Sequence, residues 1–254
     1  MNYFRSAFVY GLALALASLF ISETSQAQLR SKRGGKGAFA GGAFSVGAGI
    51  AFSSADQTGL NALIDAGKAA ANTNVSKFGN ATEFLGFGTF RFANGFTAAQ
   101  LRASVFQQST SGSGTDGSHK YELSGYTIFP MARIIPLSND FIDFYMQAGL
   151  GYGKLDGTIR NGNRSANFSG SAFGAQVGLG AEFCFVPSHC VNFEGNYRYL
   201  PIERNIVSSG TGPGNLPYGT TQASADGELE DANGRDVATT LSGISGLVSY
   251  TFNF

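Results

Sequence analysis

From about residue 40 to its last residue, the chain alternates apolar residues with small or polar ones at a period of two. FIDFYMQAGLGYGKL is the clearest stretch: Ile142, Phe144, Met146, Ala148, Leu150 and Tyr152 fall on one side, and Asp143, Tyr145, Gln147, Gly149, Gly151 and Gly153 on the other. Successive side chains of a strand point to opposite faces, so this is a strand with one greasy face and one polar or empty face. The pattern occurs eight times. It starts with AGGAFSVGAGIAF, passes through TEFLGFGTFRFA, FTAAQLRASVFQQ, YELSGYTIFPMARII, the stretch above, ANFSGSAFGAQVGLGAEFCF and CVNFEGNYRYLPI, and ends with TTLSGISGLVSYTFNF. The composition agrees with strands rather than a helical core. Charged residues are 13% of the chain, with 36 Gly, 23 Phe and no Trp, and a soluble domain carries about twice that charge. Formal net charge is zero, so no global field recruits nucleic acid.

The connections alternate in length. Asn94 and Gly95, Pro136 to Asp140, and Val186 to His189 are tight. Ser53 to Asn80, Ser109 to Lys120, Thr158 to Ser165 and Ser208 to Arg235 read as long loops. Long loops at one end and short turns at the other describe an up-and-down meander. Within the first long loop, Leu60, Leu63 and Ile64 recur at helical spacing, which predicts a short amphipathic helix able to cap a barrel mouth.

The first 27 residues read as a secretory signal peptide. MNYFR carries a positive charge, SAFVYGLALALASLFI is apolar but short for a membrane span, and small residues follow up to Ala27. Residues 28–37 are a basic, Gly-rich leader, and residues 38–254 the barrel domain. Export implies an oxidising compartment, so Cys184 and Cys190 in CFVPSHC are expected to form a local disulfide.

The greasy faces could turn inward, as in a soluble barrel, or outward to lipid. A strand in lipid must satisfy its backbone within a closed barrel. The signal peptide, the loop asymmetry and the aromatic C-terminus favour the outward sense. Phe144, Phe183, Phe185, Phe193, Phe252 and Phe254 would then form an aromatic girdle at the turn end. The polar faces would fill the lumen with Glu83, Arg91, Arg102, Arg133, Asp143, Glu182, Glu194 and Arg198. On the fourth strand, unbroken alternation admits only one of Glu122 and Arg133, unless Pro130 marks a bulge. An eight-stranded barrel is narrow enough for side chains to fill, so these charges are expected to pair into a plug. Gly149, Gly151, Gly153, Gly178 and Gly180 leave a second reading open, a narrow path along a glycine-lined side.

At this point the chain resembles a known family. A last strand with Tyr250, Phe252 and a terminal Phe254 looks like the C-terminal signal by which outer-membrane barrels are recognised for assembly. The mature chain resembles the small eight-stranded OmpA/OmpX-type outer-membrane β-barrels in strand count, loop asymmetry and C-terminus. The resemblance implies an all-β, transmembrane, eight-stranded antiparallel up-and-down β-barrel with long extracellular loops and short periplasmic turns. It implies a cell outer membrane location, with lipid, lipopolysaccharide and the barrel assembly machinery as partners, and a monomer that meets an extracellular ligand through its loops. The expected role is structural or surface-interactive, with a narrow channel or transporter as the alternative.

No catalytic residue, cofactor or metal site is expected. His119, Ser118 and Asp116 share the loop GSGTDGSHKY, but a mobile loop does not hold a triad. GLGYGK lacks the phosphate-loop spacing. The acids Asp226, Glu228, Glu230, Asp231 and Asp236 lack the EF-hand order and read as a solvated loop.

Overall fold

The computed structural model describes residues 44–254, apart from residue 140 and residues 212–214. The proposed signal peptide and leader therefore lie outside the described residues. Eight strands form the barrel: β1 (Phe44–Ser54), β2 (Asn80–Arg91), β3 (Thr97–Gly114), β4 (Gly117–Ser138), β5 (Ile142–Asn161), β6 (Arg164–Val186), β7 (His189–Tyr199) and β8 (Gly243–Asn253). Each pairs antiparallel with its chain neighbours. β8 pairs with β7 and also returns to β1, from Ser45 opposite Asn253 to Ser53 opposite Ser245. The sheet is closed and no barrel edge is left to solvate.

Closure explains the aromatic end of the chain. The Phe254 amide donates to the Phe44 carbonyl at 3.0 Å, and the two rings stack with centroids 5.7 Å apart. Phe252 packs edge-on against Phe254 at 5.0 Å and against His189 at 5.3 Å.

The greasy faces of the turn-end half point out. Leu150 is 74% exposed, Phe173 82% and Leu179 68%, while Asp143, Gln147, Gln176 and Glu194 are buried. A surface this apolar fits hydrocarbon rather than water. Phe144, Phe183, Phe185 and Phe193 ring the turn end of this belt, and Tyr126, Tyr152 and Phe173 cluster at its other margin.

Two expected long loops are not loops. β3 and β4 pair without interruption up to Gly114 opposite Gly117, and β5 and β6 up to Asn161 opposite Arg164. Two-residue turns close both hairpins. Gly162, at φ 60°, supplies the positive φ such a turn needs. Polar Ser, Thr and Gly runs read as loop from composition, but here they continue the ladder. Pro130 does not break the alternation either. It sits outward opposite Leu101, leaving Arg133 inward and Glu122 outward beside Lys120 at 2.7 Å. The irregularity of β4 comes later, between Ile134 and Leu137, around Pro136.

The remaining loops fold over the barrel mouth. Helix α1 (Thr58–Ala71) buries Leu60, Leu63 and Ile64, and Gly67 as well. The Gly67 position faces the Tyr121 hydroxyl, 3.3 Å from where a Cβ would stand. Residues 200–242 add two short two-stranded sheets and a strand, Ile206–Gly210, that pairs with β6, and bury Leu200, Ile202, Val207, Leu229, Val237 and Leu241 in the same cluster as α1.

Candidate functional site

The lumen holds the residues whose types carry chemistry. At its turn-end half, Glu194 on β7 is the centre. Arg102 from β3 reaches it at 2.6 Å and Arg133 from β4 at 2.9 Å. The Tyr145 hydroxyl donates to it at 2.6 Å, Gln147 Nε2 at 2.9 Å and Asn196 Nδ2 at 3.2 Å. Arg133 also lies over the Tyr145 ring, 4.1 Å from its centroid. A second pair joins Glu83 on β2 to Arg198 on β7 at 2.5 Å, supported by Ser53 at 3.0 Å and Ser104 at 3.2 Å. A third joins Arg91 to Asp143 at 2.7 Å, with Arg91 also donating to the Gly95 carbonyl.

All eight expected lumen residues point inward. The structure brings seven into ion pairs and leaves Glu182 without one among the described residues. Its near neighbour is Cys184 Sγ at 3.9 Å, in the Cys184–Cys190 disulfide that braces the β6–β7 turn. The arithmetic of the set explains this. Four acids face four arginines, but Glu194 takes two guanidiniums, so one acid is left over.

The glycines do not line a path. A Cβ at Gly151 would stand 2.5 Å from the Phe129 ring, and at Gly180 2.6 Å from Tyr145. At Gly153 it would stand 2.8 Å from Leu241 and at Gly178 2.1 Å from Asn196 Oδ1. These positions are bare because bulky inward neighbours fill the space.

The loop-end half of the interior is largely apolar, unlike the expected lumen filled by polar and charged side chains. Tyr121, Leu123, Leu155, Ile159 and Phe168 are buried there with α1 and the last loop. Sequence reasoning missed this core, although the signal was present. Along β5 the inward set runs Asp143, Tyr145, Gln147, then glycines, then Leu155 and Ile159 in unbroken phase. The same face changes from polar to apolar at Gly153.

His119, Asp116 and Ser118 are not in a mobile loop. They sit on the rigid β3–β4 hairpin, and His119 is fully buried. Asn161 Nδ2 donates to its Nδ1 at 2.9 Å, which leaves Nε2–H to donate to Asp116 Oδ1 at 2.7 Å. Tyr218 from the last loop donates to Asp116 Oδ2 at 2.8 Å and stacks on the His119 ring at 6.0 Å. The hydrogen bonds from His119 and Tyr218 hold the Asp116 carboxyl below its ordinary value. Both imidazole nitrogens are thus engaged and Ser118 lies on the other face, so the group is a latch between two hairpins and the last loop, without a free base for a nucleophile.

Outside this latch, a cleft of about 560 Å³ opens at the hairpin tips, lined in part by Asn74, Ser111, Ser113, Lys120 and Arg160. Lys120 and Arg160 stand directly opposite each other on β4 and β5. Three of the five acids of the last loop are taken up in ion pairs: Arg204 reaches Glu228 and, at 3.7 Å, Asp236, while Arg235 reaches Asp231 at 3.0 Å.

No protein-family model matches the chain, and no curated protein matches it. Solved structures do. The chain is similar to the outer membrane protein OprG from Pseudomonas aeruginosa, at 14% identity and a TM-score of 0.56, over 83% of this chain and 95% of that one. It is also similar to Neisserial surface protein A, at 12% identity and 0.46, over 84% and 98%. A further similarity is to Ail, the attachment invasion locus protein of Yersinia pestis, at 14% identity and 0.44, over 83% and 97%. The likeness to OprG shows the fold: a small antiparallel barrel of the outer-membrane kind.

Proposed function

We propose that this chain is a monomeric outer-membrane barrel with a shut lumen, acting through what it presents at its loop end rather than by conducting solutes or by catalysis. One observation carries the reading. The interior is stopped at two successive levels, by the Glu194 cluster with its five donors and above it by the apolar core under α1. In an outer membrane the short turns would face the periplasm and the capped end the exterior. The signal peptide and the Tyr250, Phe252 and Phe254 ending support export and handling by the barrel assembly machinery. Lipid and lipopolysaccharide would surround the belt. The hairpin-tip cleft, with opposed Lys120 and Arg160, is where an extracellular ligand would be met, and cations directly opposite each other favour an anionic one.

Planar-bilayer conductance tests the closed lumen, with heat-shifted gel migration as the check on folding. The folded protein is expected to show no steps. Reproducible steps that rise when Glu194 or Arg198 is truncated would replace this reading with a gated path.

A further inference from the structure

Four inward positions form one transverse row at the turn end of the lumen. Asp143 on β5 stands opposite Glu182 on β6, Glu182 opposite Asn192 on β7, and Asn192 opposite Ser249 on β8. Each contributes oxygen. Asp143, Asn192 and Ser249 are at most 3% exposed.

Their acceptors exceed their donors. Asp143 gives Oδ2 to Arg91, and its Oδ1 has no partner. Asn192 spends its Nδ2 on Thr251 Oγ1 at 2.5 Å, which leaves its Oδ1 unpartnered and turned from that bond. Ser249 Oγ is unpartnered as well. No described nitrogen or hydroxyl donates to Glu182, and the nearby Cys184 sulfur is in a disulfide and has no proton to give. Buried polar atoms are nearly always satisfied, so unpartnered oxygens beside a carboxylate with no ion pair mark a place where a positively charged ligand would be held. Rotating the Asn192 amide would supply one donor group, and would still leave Asp143 Oδ1 and Ser249 Oγ.

We propose that this row binds a hard divalent cation of the Ca²⁺ type. Two carboxylates, an amide carbonyl and a hydroxyl are the oxygen set Ca²⁺ takes, with waters completing its six to eight ligands. The neighbouring disulfide sulfurs, within 4.8 Å of the Glu182 carboxylate, are oxidised and so contribute no thiolate for a softer metal. The cation supplies the charge that the double use of arginine on Glu194 withholds from Glu182. Bound there, it ties β5, β6, β7 and β8 together beside the turn that the disulfide braces.

Terbium luminescence tests the site on the full barrel in detergent, after chelator treatment. Tb³⁺ replaces Ca²⁺ and is excited through tyrosine, here Tyr145, one inward step along β5 from Asp143. The expected result is a saturable signal displaced by Ca²⁺ better than by Mg²⁺ or Na⁺. Glu182→Gln and Asn192→Ala should each weaken binding by at least about ten-fold. A loop variant, Asp226→Asn with Glu228→Gln and Asp236→Asn, should keep the signal. Folding of each is followed by gel migration. The proposal is overturned by a folded wild-type protein with no saturable signal at millimolar Tb³⁺, by displacement equal for Na⁺, or by a signal lost in the loop variant. A signal unchanged in both row variants overturns it too, and this result is independent of whether the lumen conducts.

Discussion

The two halves of the barrel are built from the same strands with opposite polarity. In the turn-end half, Asp143, Gln147 and Glu194 point in while Phe144, Met146 and Phe193 point out. In the loop-end half, Leu123, Leu155 and Ile159 point in, while Glu122, Lys154 and Arg160 lie on the outward face. No register slip separates the halves on β5. What changes is the medium outside. Against hydrocarbon the outer face must be apolar and the interior takes the polar groups; against water the hydrophobic effect restores the ordinary order. Strand length shows the same division, because about 9–11 residues cross a bilayer and β4 has 22. Roughly half of that hairpin stands clear of the membrane as a small globular core with its own helix.

The largest test of this comparison is removal of the polar centre. Glu194→Ala leaves Arg102 and Arg133 uncompensated inside the barrel. It should destabilise the folded state by about 3–5 kcal/mol, read from urea unfolding in detergent. Leu155→Ala attacks the other half and should cost about 2–5 kcal/mol. Its signature differs: protease should enter residues 200–242 while the heat-shifted barrel band persists. If the barrel band disappears together with the loop, the halves do not have separate cores.

The outward face gives the sharpest contrast. Met146→Arg places a cation in the belt, where the cost is about 2–4 kcal/mol near the bilayer midplane. Thr158→Arg, outward on the same strand beyond Gly153, should stay within about 0.5 kcal/mol. Equal costs measured by unfolding into the same denaturant would erase the proposed boundary.

The smallest effect is a pH response confined to the cap. The Asp116 carboxyl is held below its ordinary value of 3.8, chiefly by the hydrogen bond from His119 and then by that from Tyr218. The stabilisation is complete above that ordinary value and is lost as pH falls through the lower, folded one. Limited digestion by an acid-active protease should therefore cut residues 200–242 faster below about pH 3.8. Asp116→Asn should flatten this dependence without altering the barrel band.

Much of the site was legible because strand phase is rigid. Once Asp143 is assigned inward, period two carries Tyr145 and Gln147 with it, and the same reasoning on β7 places Glu194, Asn196 and Arg198. Partners were not legible. Arg102 and Glu194 are 92 residues apart, and nothing in either strand says which acid two arginines will share. The turn chemistry misled at Ser111–Ser113 and Thr158–Asn161, where polar runs continue as paired strand because a neighbour of matching length lies alongside.

The sequence alone determined the number of barrel strands, the alternation of faces along most of each strand, the cysteine pair and the return of the last strand toward the first. These depend on local alternation and on the need to satisfy every backbone group, which act the same wherever the chain lies. Only the tertiary structure decided that Glu194 gathers two arginines, that Glu182 is left with none, and that α1 seals an apolar core above the lumen. Those outcomes depend on distances across the barrel, set by closure and by side-chain volume, and no single strand contains them.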